Sequence, residues 1–271
     1  MHFRLIGMFP VVLAVVALPA RAQEDVPGQR VEFALIDHGV GLSPHKEMYA
    51  LPYTYSGRYN GRKTEVQFQI SAKHDLFRTR FYFAYTQISF WEAYDAKASS
   101  PFRDTNYNPE IFYRWREYDV GSLKVGGDLG FEHQSNGQRV PLSRSWNLLY
   151  VAPWFRGDRW LAYVKARYRI PEAAKAYPGA AEGDDNPDIT HYLGYTDIHL
   201  YYMAPEQVLL HLTVRGYIGT NKGNVSLNTS VPVPGDVATF IVLRLFSGYG
   251  QSMMDYNKSI NCVGIGLMFT R

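Results

Sequence analysis

The stretch WLAYVKARYRI, residues 160–170, decides the fold class of this 271-residue chain. Apolar and polar side chains alternate along it, which is the period of a β-strand with two different faces. One face carries Trp160, Ala162, Val164, Ala166, Tyr168 and Ile170, and the other carries Tyr163, Lys165, Arg167 and Arg169. Such a strand belongs either to a soluble sandwich with an apolar core or to a membrane barrel with its apolar face outside.

Repetition of this pattern favours the barrel. Alternation is equally clear in TEVQFQIS (64–71) and QVLLHLTVRGY (207–217). Short turns alternate with longer loops, as in single-chain bacterial barrels, whose termini both lie on the periplasmic side. We therefore predict an all-β fold, a twelve-stranded antiparallel transmembrane β-barrel. Its strands are expected near 47–57, 63–75, 78–94, 106–120, 122–135, 145–158, 159–170, 189–204, 207–221, 222–233, 237–249 and 258–270.

The first residues indicate export. Arg4 precedes an apolar stretch over residues 5–18, and the triplet ending at Ala22 has the small-x-small form of a cleavage site. This is typical of a signal peptide (1–22) and is too short for a spanning helix, although a retained anchor is the alternative. Residues 23–46 are expected to form a polar periplasmic extension, and residues 47–271 the barrel.

Composition agrees with a location in the bacterial outer membrane. Aromatic residues make up 15% of the chain, with 21 Tyr, which suits the interfacial girdles of a barrel. The single cysteine, Cys262, excludes an intramolecular disulfide. A net charge of +3 without a basic run gives no indication of nucleic-acid binding.

A candidate catalytic cluster lies in GFEHQSNG (130–137) and SRSWNLLY (143–150). Alternation places His133 and Ser135 on the apolar, lipid-facing stripe of strand 122–135, with the charged residues on the other face. If this strand pairs with 145–158 in a symmetric register, Asn147 lies opposite His133, within hydrogen-bond reach. Within this hairpin, 122–158, an Asn can orient a His that activates a Ser. Asn suits this position better than a carboxylate, because a carboxylate beside hydrocarbon would be costly to keep ionised. The alternative is an interfacial polar cluster at the end of a strand.

These segments also resemble a known family. The stretch EHQSNGQRVPLSRSWNLLY, together with SSPFRDTNYNPEIF (99–112), DDNPDIT (184–190), GYG (248–250) and DYN (255–257), resembles in the same order the signature segments of the outer membrane phospholipase A family. The resemblance covers essentially the whole mature chain. It implies a calcium-dependent homodimer that hydrolyses acyl esters of membrane phospholipids at sn-1 or sn-2, and of lysophospholipids.

The resemblance also assigns roles to single residues. Ser135 becomes the nucleophile, His133 the general base and Asn147 the residue that orients it. The backbone N–H of Gly137 is then expected to stabilise the oxyanion, although Gly137 could be a turn residue only.

The Ca²⁺ ligands implied by the resemblance are the Ser143 hydroxyl, the backbone carbonyl of Gln138, and the Ser99 hydroxyl of the other subunit. The family's second, weaker calcium site uses two acidic residues. Asp185 matches one of them, but Val140 replaces the other, so we do not expect that site here.

Gln87 is expected at the dimer interface. It shares the lipid-facing side of its strand with Phe81, Phe83 and Tyr85, where an unpaired amide is costly, and the family has a Gln in this position. The chain ends Phe269-Thr270-Arg271, without the aromatic terminal residue of the family pattern. Two other classes remain open: a passive porin or structural barrel with a degenerate site, and a soluble secreted esterase on a β-sandwich.

Overall fold

The structure, a computed structural model, describes residues 31–39, 41–59, 62–177, 179–216, 219–236 and 238–271. The predicted signal peptide therefore lies outside the described residues. The strands are β1 (Leu42–Pro44), β2 (Met48–Tyr59), β3 (Arg62–Leu76), β4 (Phe81–Trp91), β5 (Phe102–Arg114), β6 (Tyr118–Val120), β7 (Leu123–Ser135), β8 (Ser145–Arg156), β9 (Trp160–Arg169), β10 (Thr196–Met203), β11 (Leu209–Gly216), β12 (Gly223–Pro232), β13 (Phe240–Gly248) and β14 (Ile260–Thr270).

Twelve of these strands close into one antiparallel barrel. Each long strand pairs with the next in the chain, β5 pairs with β7, and β14 returns to pair with β2. The short strands β1 and β6 are additions at the edges of β3 and β7. The closed ring confirms the predicted fold class and excludes the sandwich, because a sandwich leaves edge strands unpaired.

The two faces of the barrel wall are inverted relative to a soluble protein. In β9 the charged Lys165 and Arg167 are buried, whereas Tyr168 is 60% exposed. In β7, Asp128 is 1% exposed and its neighbour Leu129 is 53% exposed, as the alternation predicts. Large apolar side chains form a continuous outer belt, including Ile70, Phe83, Ile111, Leu149, Leu200, Leu243, Ile265 and Phe269. A belt of this extent is typical of a surface that faces lipid.

Ion pairs fill the interior of the wall. Lys165 bonds both Glu110 (2.9 Å) and Glu132 (3.1 Å), and Arg114 bonds Asp128 (2.8 Å). Arg167 joins Glu132 to Asp197, which also pairs with Arg215. Buried charges are stable only when paired in this way, so the strands are held in register from the inside.

Residues 31–37 close the end of the barrel at which β2 begins and β14 ends. This end is called the turn end here. Phe33, Leu35 and Ile36 are at most 5% exposed and pack in the aromatic core with residues such as Trp154 and Tyr201. Arg114 donates to the Leu35 carbonyl (2.9 Å), and the Ala34 N–H donates to the Arg271 carbonyl (3.1 Å). This segment, called the plug below, is thus an apolar and packed part of the predicted extension.

The opposite end, here called the loop end, carries the longer connections at 92–101, 136–144, 170–195 and 249–259. In the third of these, Ile189–Leu193 forms a short helix, α1, where the alternation predicted the start of a strand. Ile189 and Leu193 are four residues apart and both buried, which is helical spacing. Among the described residues, no helix is long and apolar enough to cross a bilayer.

Candidate active site

The β7–β8 hairpin carries the candidate catalytic residues at the loop end. Its register pairs His133 with Asn147 and Ser135 with Ser145, as the symmetric register predicts. Glu132 and Gln134 point inward and are buried, so His133 and Ser135 belong to the outward face and are half-buried. Two glycines on the inward face, Gly126 and Gly130, allow this hairpin to pair closely. A Cβ at Gly126 would lie 2.1 Å from the Trp154 ring, and one at Gly130 would lie 2.7 Å from Tyr150.

His133 and Asn147 are hydrogen-bonded. The distance from His133 Nδ1 to Asn147 Oδ1 is 2.8 Å. An amide oxygen can only accept, so Nδ1 carries the proton and Nε2 is left with a lone pair. Of the two neutral tautomers, the bond to Asn147 selects the one with a free Nε2 lone pair, which is the form that a general base requires.

Ser135 is the last residue of β7. It pairs with Tyr107 of β5 on one side and with Ser145 of β8 on the other. Gly137 follows in a left-handed conformation (φ 63°), and a Cβ there would lie 3.0 Å from the Tyr107 ring. Glycine is therefore required at 137 for the backbone conformation and by the close approach of Tyr107.

Asn136, which the alternation did not single out, organises the loop over 136–144. Its Oδ1 accepts from the backbone N–H of Arg144 (2.9 Å) and of Gln138 (3.3 Å), and its Nδ2 donates to the Leu142 carbonyl (3.0 Å). The side chain is 2% exposed. Its position inside the quoted GFEHQSNG stretch was the only sequence signal for this role.

The segment 184–190 supports the hairpin from the side. Asn186 Oδ1 accepts from the backbone N–H of Ser145 (2.9 Å), and the carboxylate of Asp184 binds the Arg169 guanidinium with two bonds of 2.7 Å. The Tyr256 hydroxyl donates to Asp188 (2.5 Å). Burial raises the pKa of Tyr256, and the bond to Asp188 raises it further. The DDNPDIT and DYN segments are thus joined above the hairpin.

The start of β5 also contacts the loop-end segments that lie above the hairpin. Arg103 binds Glu65 of β3 through two bonds of 2.9 Å and Asp255 at 2.5 Å. The Asn106 side chain accepts from the backbone N–H of Met253 (2.9 Å). The signature segments that are distant in sequence therefore meet at the loop end, around the hairpin that carries Ser135.

Of the residues expected to bind calcium, two lie in the hairpin loop and one lies elsewhere. Ser143 is half-buried, and its hydroxyl donates to Asp185 (2.5 Å), which also pairs with Lys175 (2.5 Å). Gln138 is exposed in the same loop. Ser99 is exposed in the separate loop between β4 and β5, with φ 62°. Within the described ranges, no group of three or more His, Cys, Asp or Glu side chains is arranged to hold a metal ion.

Gln87 lies on the outward face of β4, but its amide is not unpaired, which corrects the argument made from sequence. Its Oε1 accepts from the Tyr85 hydroxyl (2.9 Å), and its Nε2 donates to Ser89 (3.1 Å). A side chain two residues away on the same strand face is a natural partner, because positions i and i+2 share that face. The burial cost of the amide is therefore largely met within one chain.

A closed barrel with an apolar outer belt and an outward-facing Ser, His and Asn cluster defines a membrane-embedded hydrolase as the class of this protein. The family model for phospholipase A1 matches residues 31–269. The chain belongs to the phospholipase A1 family, and it is an ester hydrolase.

Individual relatives agree. Phospholipase A1 of Salmonella typhimurium (strain LT2) is 35% identical over 227 residues, which cover 79% of this chain and 73% of that protein. The outer membrane phospholipase dimer of Salmonella typhi with bound calcium has a TM-score of 0.75 at 33% identity, over 86% of this chain and 94% of that one. An active-site mutant of the Escherichia coli outer membrane phospholipase A, in which alanine replaces an asparagine, has a TM-score of 0.77 at 30% identity, over 90% and 98%.

Proposed function

We propose that this chain hydrolyses the acyl ester bonds of membrane phospholipids, at sn-1 or sn-2, and of lysophospholipids, in the bacterial outer membrane. The observation that carries the proposal is the 2.8 Å bond from His133 Nδ1 to Asn147 Oδ1 on the outward face, two residues from Ser135. On a barrel, that face meets the lipid, so the substrate is the surrounding bilayer.

In this mechanism Ser135 is the nucleophile. His133 Nε2 accepts the hydroxyl proton as the oxygen attacks the ester carbonyl, and the imidazolium then protonates the departing lyso-lipid alcohol. A water molecule, deprotonated by the same nitrogen, hydrolyses the acyl-enzyme and releases the fatty acid. Asn147 holds the ring in the required tautomer throughout. The asparagine at the active site of the Escherichia coli relative supports this role.

Gly137 is proposed to donate its backbone N–H to the developing oxyanion. The left-handed backbone at Gly137 lies two residues after Ser135, the last residue of β7. A fixed backbone donor stabilises the charge without reorganising during the reaction.

The oxygen donors of the 136–144 loop fit calcium. The Ser143 hydroxyl and the Gln138 carbonyl are hard ligands, and the Asp185 carboxylate already contacts Ser143. When bound, calcium supplies positive charge near the developing oxyanion. Because no carboxylate is among the three proposed ligands, the affinity of one subunit alone is expected to be low.

A homodimer would complete the site. We propose that Ser99 of the partner subunit supplies a further hydroxyl, since Ser99 is exposed in a loop at the same end of the barrel as Ser143. Gln87 is proposed to lie at the same interface, where its remaining N–H can meet the partner. The calcium-bound dimer of the Salmonella typhi relative supports a homodimer that binds calcium.

The test is hydrolysis of phospholipid in mixed detergent micelles. Wild-type protein is expected to release fatty acid in the presence of calcium and to lose activity with a chelator. Ser135→Ala is expected to remove the activity. Ser247→Ala, a change of another outward-facing serine on β13, is the matched control. Hydrolysis that persists in Ser135→Ala at the wild-type rate would contradict the assignment of the nucleophile.

A further inference from the structure

A carboxylate stands behind the histidine–asparagine pair. Asn147 Nδ2 lies 3.4 Å from Oε1 of Glu172, a half-buried residue just after β9. The Ile170 N–H donates to the Asn147 carbonyl (2.8 Å), so the pairing of β9 with β8 continues past the end of the strand. The Asn147 side chain is on the outward face of β8, so its contact with Glu172 places this carboxylate on the outer side of the wall.

The four side chains form a row across three neighbouring strands. Ser135 and His133 come from β7, Asn147 from β8, and Glu172 from the extension of β9. The row ends on a group that can only accept hydrogen bonds when ionised. This order of groups fixes the direction of two bonds, from Asn147 to Glu172 and from His133 to Asn147.

An asparagine amide can turn over, which exchanges its oxygen and its nitrogen. In the observed orientation the nitrogen faces the Glu172 carboxylate and the oxygen faces His133 Nδ1. In the reversed orientation the amide oxygen would face the carboxylate, and the NH₂ group would face Nδ1 and force the proton to Nε2. That tautomer cannot accept the Ser135 proton, so selection between the two amide orientations is selection of the active enzyme.

We propose that Glu172 is a positioning residue that holds the Asn147 amide in the orientation that keeps Nδ1 of His133 protonated. The proposal rests on the catalytic role given to Ser135, His133 and Asn147 above. A negative charge directly on His133 would have to be kept ionised on the lipid-facing surface, which is costly. Glu172 does not contact His133 directly. Its carboxylate contacts the neutral amide of Asn147, and that amide contacts His133.

The experiment is a double-mutant cycle between Glu172→Ala and Asn147→Ala. In the wild-type background, Glu172→Ala is expected to lower kcat about three- to tenfold with KM unchanged, since a single long charge-assisted bond is lost. In the Asn147→Ala background, the same change is expected to have no further effect, because Glu172 acts only through Asn147. Glu172→Gln keeps an acceptor at the same place and is expected to recover at least half of the lost kcat.

Glu182→Ala, a change of an exposed carboxylate in the same loop, is the matched control. Mobility on gels of unheated samples reports that every variant is a folded barrel. A fall in kcat that is equal in both backgrounds would overturn the proposal, and so would an unchanged kcat in Glu172→Ala. Wild-type protein without Ser135-dependent hydrolysis would instead refute the proposed function, whereas loss in Ser135→Ala and Asn147→Ala with full activity in Glu172→Ala would refute only the role of Glu172.

Discussion

At the scale of single residues, the group bonded to His133 Nδ1 is a neutral amide, that of Asn147. Its oxygen accepts at 2.8 Å, which is a good hydrogen-bond distance. A neutral pair has a modest net energy, about 0.5–1.5 kcal/mol, whereas a buried ion pair beside hydrocarbon carries a large desolvation cost. An asparagine at position 147 therefore limits the cost of placing the proposed general base, His133, on the outer surface of a barrel.

Asn147→Ala is expected to lower kcat about tenfold, because the net energy of one neutral hydrogen bond corresponds to roughly that factor. KM is expected to change little, since Asn147 does not contact the leaving group in the proposed mechanism. Steady-state hydrolysis of a phospholipid in micelles measures both constants. Asn261→Ala, another outward-facing asparagine at the loop end, is the control. A kcat within twofold of the wild type would show that Asn147 does not orient the base.

The sequence predicts where these residues lie because two regular features of β-structure determine their positions: the alternation of side chains along a strand and the register of a symmetric hairpin. Alternation placed His133 and Ser135 on one face, and a symmetric hairpin placed Asn147 opposite His133. Asn136 and Glu172 could not be found in this way. Their contacts depend on the paths of loops, which follow no period, so only the three-dimensional arrangement relates them to the hairpin.

At the scale of elements, the loop between β7 and β8 is held by one buried side chain. Asn136 bonds three backbone groups, contributed by Gln138, Leu142 and Arg144. The same loop supplies the proposed oxyanion donor and two proposed calcium ligands. Order in this loop is thus a condition for the site, and Asn136 provides much of it.

Asn136→Ala is expected to loosen the loop while the barrel stays folded. Removing the amide leaves backbone groups without partners, at a cost of about 1–3 kcal/mol. Trypsin cleavage at Arg139 or Arg144 tracks the population of the open loop, so cleavage is expected to be at least about tenfold faster. Leu142→Ala, which removes only an exposed side chain from the same loop, is the control. Equal cleavage rates in the wild type and Asn136→Ala would show that the loop is held by other contacts.

The elements differ in how well the sequence predicted them. All twelve barrel strands were expected near their observed positions, because each has many residues over which alternation can be counted. The five residues of α1 were predicted as strand, since one helical turn is too short to show a period against the strand that follows. For the plug, the sequence predicts a polar segment, because its apolar residues alternate over too few positions to indicate packing.

At the scale of the whole molecule, the barrel wall and its interior have opposite chemistry to a soluble protein. Apolar residues face outward and ion pairs face inward, as the prediction of a membrane barrel from the repeated alternation implies. An interior of this kind could belong to a water-filled pore, which is why a passive porin remained open from the sequence. Two structural features oppose that function: the network around Glu110, Glu132 and Arg167, and the apolar plug at the turn end.

The purified protein in a planar lipid bilayer is expected to show no steady, porin-like conductance. Phe33 and Leu35 of the plug are packed against aromatic side chains, and ions would also have to pass the paired charges in the middle of the barrel. Single-channel recording over a range of voltages measures this directly, with the same preparation assayed for phospholipid hydrolysis to show that it is folded.

Phe33→Asp is expected to weaken the packing of the plug, because it buries an unpaired charge, whereas Glu32→Gln changes an exposed residue beside it and serves as the control. A stable open channel in the wild-type protein would contradict the closed interior and restore the porin hypothesis. Without such a channel, the polar interior serves to stabilise the wall on which the outward-facing site is built.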